Sequence, residues 1–341
     1  MLKNIFSVLF NKKILLNQIQ HICISRTDSI GDVILTLPLA GIIKKSYPHL
    51  RVSFLCAEYT CDVVRCSSHV DDIVSVKQMK SFYSAHSPDM VLHVFPSFEI
   101  ARFFYEKKTP YRIGTWGRLH HWLYCNYLVP FSRRNSSLHE AELNTKLLKV
   151  TDAIIPEVER FSLYYGFYLP EDYVIPKDIQ KDLYGVPYII LHPRSKGSAR
   201  EWDEKKFVEL AHALHHKKYK VVIGGTEKEK TSLKELPYLP FVYDVMGKLA
   251  LKEYIALIAR ATGLVAASTG PLHIAAMCGI KSAGLFSSMR PIHSGRWAPL
   301  GIKATAFWHG EPEGCRRCIK SRYCECINRI PSEKILLFLA S

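Results

Sequence analysis

HICISRTDSIGDVILTLPLAGIIKKSYPHLRVSFLCA, residues 21–57, is the stretch that decides the fold class. Two short runs rich in β-branched and apolar residues, 21–25 and 51–57, flank a segment with helical spacing of its apolar positions from about Asp32 to Tyr47. Strand, helix, strand in this order gives a parallel βαβ unit. The alternation continues outward. Runs at 73–76 and 90–94 read as strands, followed by a less regular, aromatic- and arginine-rich stretch from Ser97 to about Pro170 with a helix over 138–150. A second series has strands at 188–192, 219–224, 263–267 and 283–286, and helices over 203–215, over 251–261 and from Pro271. Pro170 and Pro176 mark 165–177 as a linker. The expectation is an α/β chain of two Rossmann-like, doubly wound domains. An amphipathic basic segment occupies 1–20, an N-terminal domain 21–170, a C-terminal domain 171–328 and a terminal helix 329–341.

A chain of 341 residues suits two domains better than one. With 48% hydrophobic and 23% charged residues, it is neither a disordered chain, nor a collagen, nor a small disulfide scaffold. The charge is unusual: 46 basic against 31 acidic residues gives +15. Such a field attracts polyanions, whether nucleic acid, an anionic membrane or a phosphorylated substrate. No run is long and apolar enough for a membrane span. The N-terminal MLKNIFSVLFNKKILLNQIQ has a short apolar run, then Asn11-Lys12-Lys13, and no small-residue cleavage site. It reads as a basic amphipathic helix, packed on its own domain or lying on a membrane surface. The expected location is cytoplasmic and reducing, peripheral at the inner face of the inner membrane, with unpaired cysteines. Cys23 and Cys278 sit in apolar segments, as small buried hydrophobes do.

In open α/β sheets ligands bind beyond the carboxyl ends of the strands. Four loops are therefore informative. After 21–25 comes Arg26-Thr27-Asp28-Ser29-Ile30-Gly31-Asp32, where Gly31 permits a tight approach and Asp32 opens a helix. By spacing alone, Asp28 or Asp32 reads as a helix cap. By location, an aspartate here suits a general base towards a hydroxyl. After 188–192 comes Pro193-Arg194-Ser195-Lys196-Gly197-Ser198-Ala199-Arg200, whose cations, hydroxyls and glycine suit a diphosphate or, more simply, a solvated basic loop. Trp202-Asp203 reads as an anchor and a cap. Gly224-Gly225-Thr226-Glu227 offers a carboxylate that can hold ribose hydroxyls. Finally, Ser268-Thr269-Gly270-Pro271 leads into a helix N-terminus with open amides, an anion site, and His273 behind it is either a core histidine or a ligand contact.

In this order the segments SRTDSIGDVILTLPLA, HPRSKGSAREWDEKKFVELA, VVIGGTEKE and LIARATGLVAASTGPLHIAAMCGI, with a cysteine-bearing tail, resemble glycosyltransferase family 9. This is the ADP-heptose:lipopolysaccharide heptosyltransferase family, and the resemblance spans residues 21 to about 330. It implies a GT-B fold, with two Rossmann-like domains facing a central cleft, and inverting transfer with no cofactor required for catalysis. Asp32 matches the family's base, with Asp28, Ser29 and Gly31 on its loop near the acceptor. Arg200 matches the position of a diphosphate-binding lysine, Ser195 and Lys196 match neighbouring positions, and Glu227 lies near the ribose-binding glutamate. Thr269 and Gly270 match the segment that closes over the donor phosphates. The implied partners are an ADP-heptose-like donor and an anionic lipid-linked glycan acceptor, without nucleic acid. Three positions depart from the pattern: Ser268 where an aspartate touches the heptose, Arg194 where a small residue is common, and Ser287-Ser288 in place of a glycine turn. Ser268 leaves a hexose-type donor open.

Cys315-x-x-Cys318 and Cys324-x-Cys326 put four thiols within twelve residues. The grouping suits a structural zinc site, although the single-residue gap of the second pair is short. The charge and these cysteines also fit a basic nucleic-acid-binding protein with a metal site, but the basic residues are dispersed and no nucleic-acid fold signature is present. A same-fold nucleotide-sugar epimerase is a third reading, for which no extra acid and base groups stand out.

Overall fold

The computed structural model describes residues 13–85, 87–133, 136–310 and 325–341. The chain divides into two compact units, Met1–Tyr168 and Leu169–Ser341. In the first unit, β1 (His21–Ser25), β2 (Arg51–Cys56), β3 (Asp72–Ser75), β4 (Met90–His93), β5 (Tyr111–Thr115) and β6 (Tyr127–Val129) form one sheet in the order β3-β2-β1-β4-β5-β6. In the second, β7 (Tyr188–His192), β8 (Lys220–Ile223), β9 (Val242–Asp244), β10 (Gly263–Ala267), β11 (Lys281–Leu285) and β12 (Ala304–Phe307) form another in the order β12-β11-β10-β7-β8-β9. All pairings are parallel. Each sheet starts at a central strand, winds outward, then returns to that strand's other side, the doubly wound order whose switch point marks a ligand crevice. That point lies between β1 and β4, where Ile22 faces Met90, and between β7 and β10, where Ile189 faces Gly263.

Central strands of such sheets are covered on both faces, so they need continuous apolar runs rather than alternation. Accordingly, Ile22, Cys23 and Ile24 of β1 and Ile189, Ile190 and Leu191 of β7 are fully buried. Cys23 behaves as a small hydrophobe: burial pushes its thiol up to about 12. It packs in a cluster with Leu55, Val91, Ile100 and Phe104. In the second unit the helix Glu204–His216 turns Phe207, Leu210, Ala211 and Leu214 inward, at i, i+3, i+4 and i+7. Asp203 caps it by accepting the Lys205 amide at 3.0 Å. Trp202, 1% exposed, packs edge-on against Phe207 at 5.0 Å. The helix Ser332–Ala340 adds Ile335 and Leu339 to the same core.

The single helix expected over 32–47 is two, Ile30–Ile34 and Leu37–Ser46. Pro38 has no amide to donate to the Ile34 carbonyl, so one ladder cannot run through it. The helix expected over 138–150 is α-helical only over Glu140–Thr145 and continues as 3₁₀ over Lys146–Val150. β5, β6, β9 and β12 were not among the expected strands. Among the described residues no helix is long and apolar enough to cross a membrane.

Candidate functional site

In the first unit the loop after β1 is organised by a residue the sequence reading passed over. Arg26 is only 3% exposed. Its Nε donates to Asp28 Oδ1 at 2.7 Å, Nη2 to Asp32 Oδ1, and Nη1 to Glu140 Oε1 and Asn144 Oδ1, both at 3.2 Å. Burial works against the guanidinium charge, but Asp32, Asp28 and Glu140 outweigh it and raise its pKa. The carboxylate of Asp32 is thus fixed from two sides, because Ser29 Oγ donates to Oδ2 while Arg26 holds Oδ1. Thr36 Oγ1 donates to the Asp32 carbonyl at 2.8 Å, and Asn144 Nδ2 donates to Thr36 Oγ1 at 3.0 Å. Asp32 therefore sits in the first turn of Ile30–Ile34, as a cap would, yet its side chain is spent on a guanidinium and a hydroxyl. Burial pushes the Asp28 carboxyl up to about 6, with Arg26 opposing and Asp32 adding to the rise. Gly31 is buried in the same turn and Ser29 is exposed at its start.

Glu140 is 1% exposed and also pairs with Arg133, whose Nη2 donates to the Val94 carbonyl at 3.2 Å in the loop after β4. The switch-point loops after β1 and β4 are therefore joined through Arg26, Glu140 and Arg133. The available sequence signal was Glu140 and Asn144, four residues apart on a helix that otherwise buries Ala141 and Leu143.

In the second unit the loop after β7 is curled around Ser195. The Ser195 hydroxyl, 5% exposed with its residue, donates to Glu201 Oε1 at 2.8 Å and to the Ala199 carbonyl at 3.1 Å. The Ser195 amide donates to Glu201 Oε1 at 2.7 Å. Ser195 thus shapes the loop, and Glu201, unremarked in the sequence, is its lock. The turn leaves Lys196 and Gly197 at φ 51 and 82, in the left-handed region, with Lys196 exposed. Arg194 is turned to Ser232, donating to its hydroxyl and carbonyl at 2.9 Å each, and pairs with Glu201 at 3.4 Å. The Arg200 guanidinium reaches Met289 Sδ at 3.7 Å, in the loop after β11.

After β8, Thr226 and Glu229 form a reciprocal cap: the Thr226 amide and hydroxyl donate to Glu229 Oε2 at 2.8 and 2.7 Å. Burial would raise the Glu229 carboxyl, but these bonds hold it below its ordinary value. Glu227, by contrast, is exposed in that first turn and backed by Gly247, whose φ of 73 and close approach leave no room for a side chain. After β10, Ser268 is half-buried, and Thr269 precedes the helix Gly270–Met277 without a side-chain cap. The first-turn amides of that helix are thus not bonded by Thr269, and its dipole favours an anion there. His273 is 2% exposed, one turn further in. Because the strands are parallel, Lys196, Arg200, Glu227, Ser268, Thr269 and Gly270 all belong to loops at the carboxyl edge of one sheet. The serine pair after β11 is buried, and Ser288 Oγ donates to the His309 carbonyl at 3.2 Å.

Cys315, Cys318 and Cys324 lie outside the described residues. Cys326 is half-buried against the apolar core of the second unit. Among the described residues no three His, Cys, Asp or Glu side chains are grouped to hold a metal ion.

A profile of glycosyltransferase family 9 (heptosyltransferase) matches residues 84–325. Lipopolysaccharide heptosyltransferase 3 of Escherichia coli is 23% identical over 310 residues, covering 82% of this chain and 86% of that protein. The crystal structure of a family 9 glycosyltransferase from Veillonella parvula superposes with a TM-score of 0.77 at 17% identity, covering 94% of this chain and 98% of that one. The E. coli ADP-heptose lipopolysaccharide heptosyltransferase II superposes with a TM-score of 0.70 at 19% identity, covering 94% and 97%.

Proposed function

The chain belongs to glycosyltransferase family 9, the heptosyltransferases, and from that premise we propose that it moves heptose from ADP-heptose onto an anionic, lipid-linked lipopolysaccharide-core glycan, with inversion. The observation that carries this reading is the oriented Asp32 carboxylate on the loop after β1, held by the buried Arg26. In the proposed reaction an acceptor hydroxyl oxygen attacks the anomeric carbon of the donor. The bond from that carbon to the diphosphate oxygen breaks, ADP leaves with the electron pair, and the hydroxyl proton passes to Asp32. A general base of this kind contributes about 10²–10⁴-fold.

Donor binding falls to the second unit. Arg200 and Lys196 are the cations for the diphosphate, the amides opening Gly270–Met277 are its neutral donors, and Glu227 is the carboxylate for ribose hydroxyls. Charge-assisted contacts of this type are the strong ones, and helix N-termini suit phosphate oxygens. Ser268, shorter than an aspartate, leaves room beside the sugar, so the donor set to test includes hexoses. The work site is the cytoplasmic face of the inner membrane, where the lipid-linked acceptor is presented.

A thermal-shift series with ADP, UDP, GDP and CDP tests the reading, because a ligand that binds only the folded state raises the melting temperature by mass action. Stabilisation by ADP above the other three supports it. No response to any of the four, together with a response to an oligonucleotide, overturns it.

A further inference from the structure

The unit that carries Asp32 exposes apolar surface on one pair of helices. Phe98–Glu106 buries Ile100, Ala101 and Phe104, while Phe98, Arg102 and Tyr105, at i, i+4 and i+7, share its outer face. Leu119–Tyr124 packs beside it: Tyr124 meets Phe98 edge-on at 5.4 Å and Tyr105 at 5.5 Å. Leu119 and Leu123, one turn apart, are 82% and 47% exposed, and Trp116 just before them is 42% exposed. Trp116 also packs edge-on against Trp122 of this second helix at 4.5 Å, so exposed apolar side chains are grouped on these two helices and the turn before the second, and are not singly scattered.

This surface is threaded with cations. Residues 98–124 contain five Lys and Arg against two Glu. The Arg112 guanidinium lies over the Tyr105 ring at 5.4 Å, Arg118 is exposed beside Leu119, and one of the two glutamates, Glu106, is taken up by Arg102 at 2.7 Å. Trp116 directly follows β5 and Phe98 opens the helix after β4. Both strands run parallel to β1, so this turn lies at the carboxyl edge that also carries Asp28 and Asp32.

Aliphatic tips, amphipathic rings and long cationic side chains on one face are the composition of the headgroup boundary of a bilayer. A positive face of this kind complements an anionic lipid surface. We infer that this face, built from Phe98, Tyr105, Trp116, Leu119 and Leu123 with Arg102 and Arg118, seats the protein on an anionic bilayer. The inference rests on the proposed lipid-linked acceptor, because a base at the same edge then meets the acceptor where it leaves the membrane.

The test uses the full chain and vesicles of phosphatidylcholine with or without phosphatidylglycerol, read by co-sedimentation. The double variant Leu119→Asp/Leu123→Asp alters two exposed positions, and Ile302→Asp, at a site 78% exposed in the other unit, controls for added negative charge. The basic N-terminal segment is the same in all three proteins. Wild type and Ile302→Asp are expected to bind phosphatidylglycerol vesicles, and the double variant to bind about tenfold or more weakly. All three should keep the same ADP-induced thermal shift, which reports the donor site and not this face. Equal vesicle binding by the double variant and wild type overturns the inference, as does absence of binding by wild type. So does a change confined to oligomeric state, which would make this face a contact between copies of the chain. Loss of the ADP response in wild type would instead sink the functional reading and leaves the vesicle result to judge this face.

Discussion

Replacing Asp28 by asparagine isolates the electrostatic cost of the crowded loop after β1. Burial, with Asp32 close by, lifts the Asp28 carboxyl from 3.8 to about 6, against the pull of Arg26. The folded protein therefore holds a proton that the unfolded chain has already released between these values. Stability contributed by this group falls as pH rises through that window and levels off above about 6. The full difference corresponds to about 3 kcal/mol, of which about 2 kcal/mol falls between about pH 4.5 and about pH 7.5. Solvent at the side chain, 24% exposed, screens this to about 1–2 kcal/mol. An amide cannot titrate, so the stability of Asp28→Asn relative to the wild type should rise by about 1–2 kcal/mol between about pH 4.5 and about pH 7.5. Urea unfolding followed by tryptophan fluorescence, with both proteins measured across this range, reads the difference directly. A difference independent of pH, or one that turns against the variant towards neutrality, refutes the reasoning.

Three further outcomes are expected. Glu140→Gln leaves Arg26 and Arg133 sharing a neutral amide in a site 1% exposed, and should destabilise by about 3–5 kcal/mol in urea unfolding; a change within error would mean the guanidinium charges are compensated elsewhere. Gly247→Ala places a side chain at φ 73 and within 2.8 Å of Glu227 Cβ, so it should cost about 1–2 kcal/mol in thermal unfolding and weaken ADP binding together; stability lost with ADP affinity intact would remove Glu227 from the donor site. Arg200→Ala should weaken ADP about tenfold in calorimetric titration, the scale of one charge-assisted contact, and an unaltered affinity would take Arg200 out of the site.

What could be read from the sequence follows burial. The strands at 21–25, 188–192 and 263–267 were legible to the residue, because central parallel strands must be apolar along their length. β6, β9 and β12 were not: each is short, all three lie at sheet edges and none is buried throughout, as in the half-exposed Val242–Asp244, so no apolar run marks them. The break before Leu37 was written in Pro38 but masked by the mostly apolar run from Val33 to Ile43, in which Thr36 is the one polar side chain. At the site, the loops and their aspartates were visible because strand ends and glycine turns are local signals. Arg26 was quoted with its loop yet its role stayed hidden, since its partner Glu140 lies 114 residues away and pairing over that distance leaves no local pattern. Ser195 illustrates the converse: a hydroxyl in a diphosphate-like loop turned out to be committed to Glu201, six residues on.

Asp32 is proposed as the base of a sugar transfer. Transfer from ADP-heptose to a heptose-deficient lipopolysaccharide acceptor, measured in single turnover for wild type and Asp32→Asn alongside ADP affinity, tests it most directly. Turnover reduced by about 10²-fold or more, with ADP affinity unchanged, is the expected result. Undiminished transfer by Asp32→Asn would contradict it.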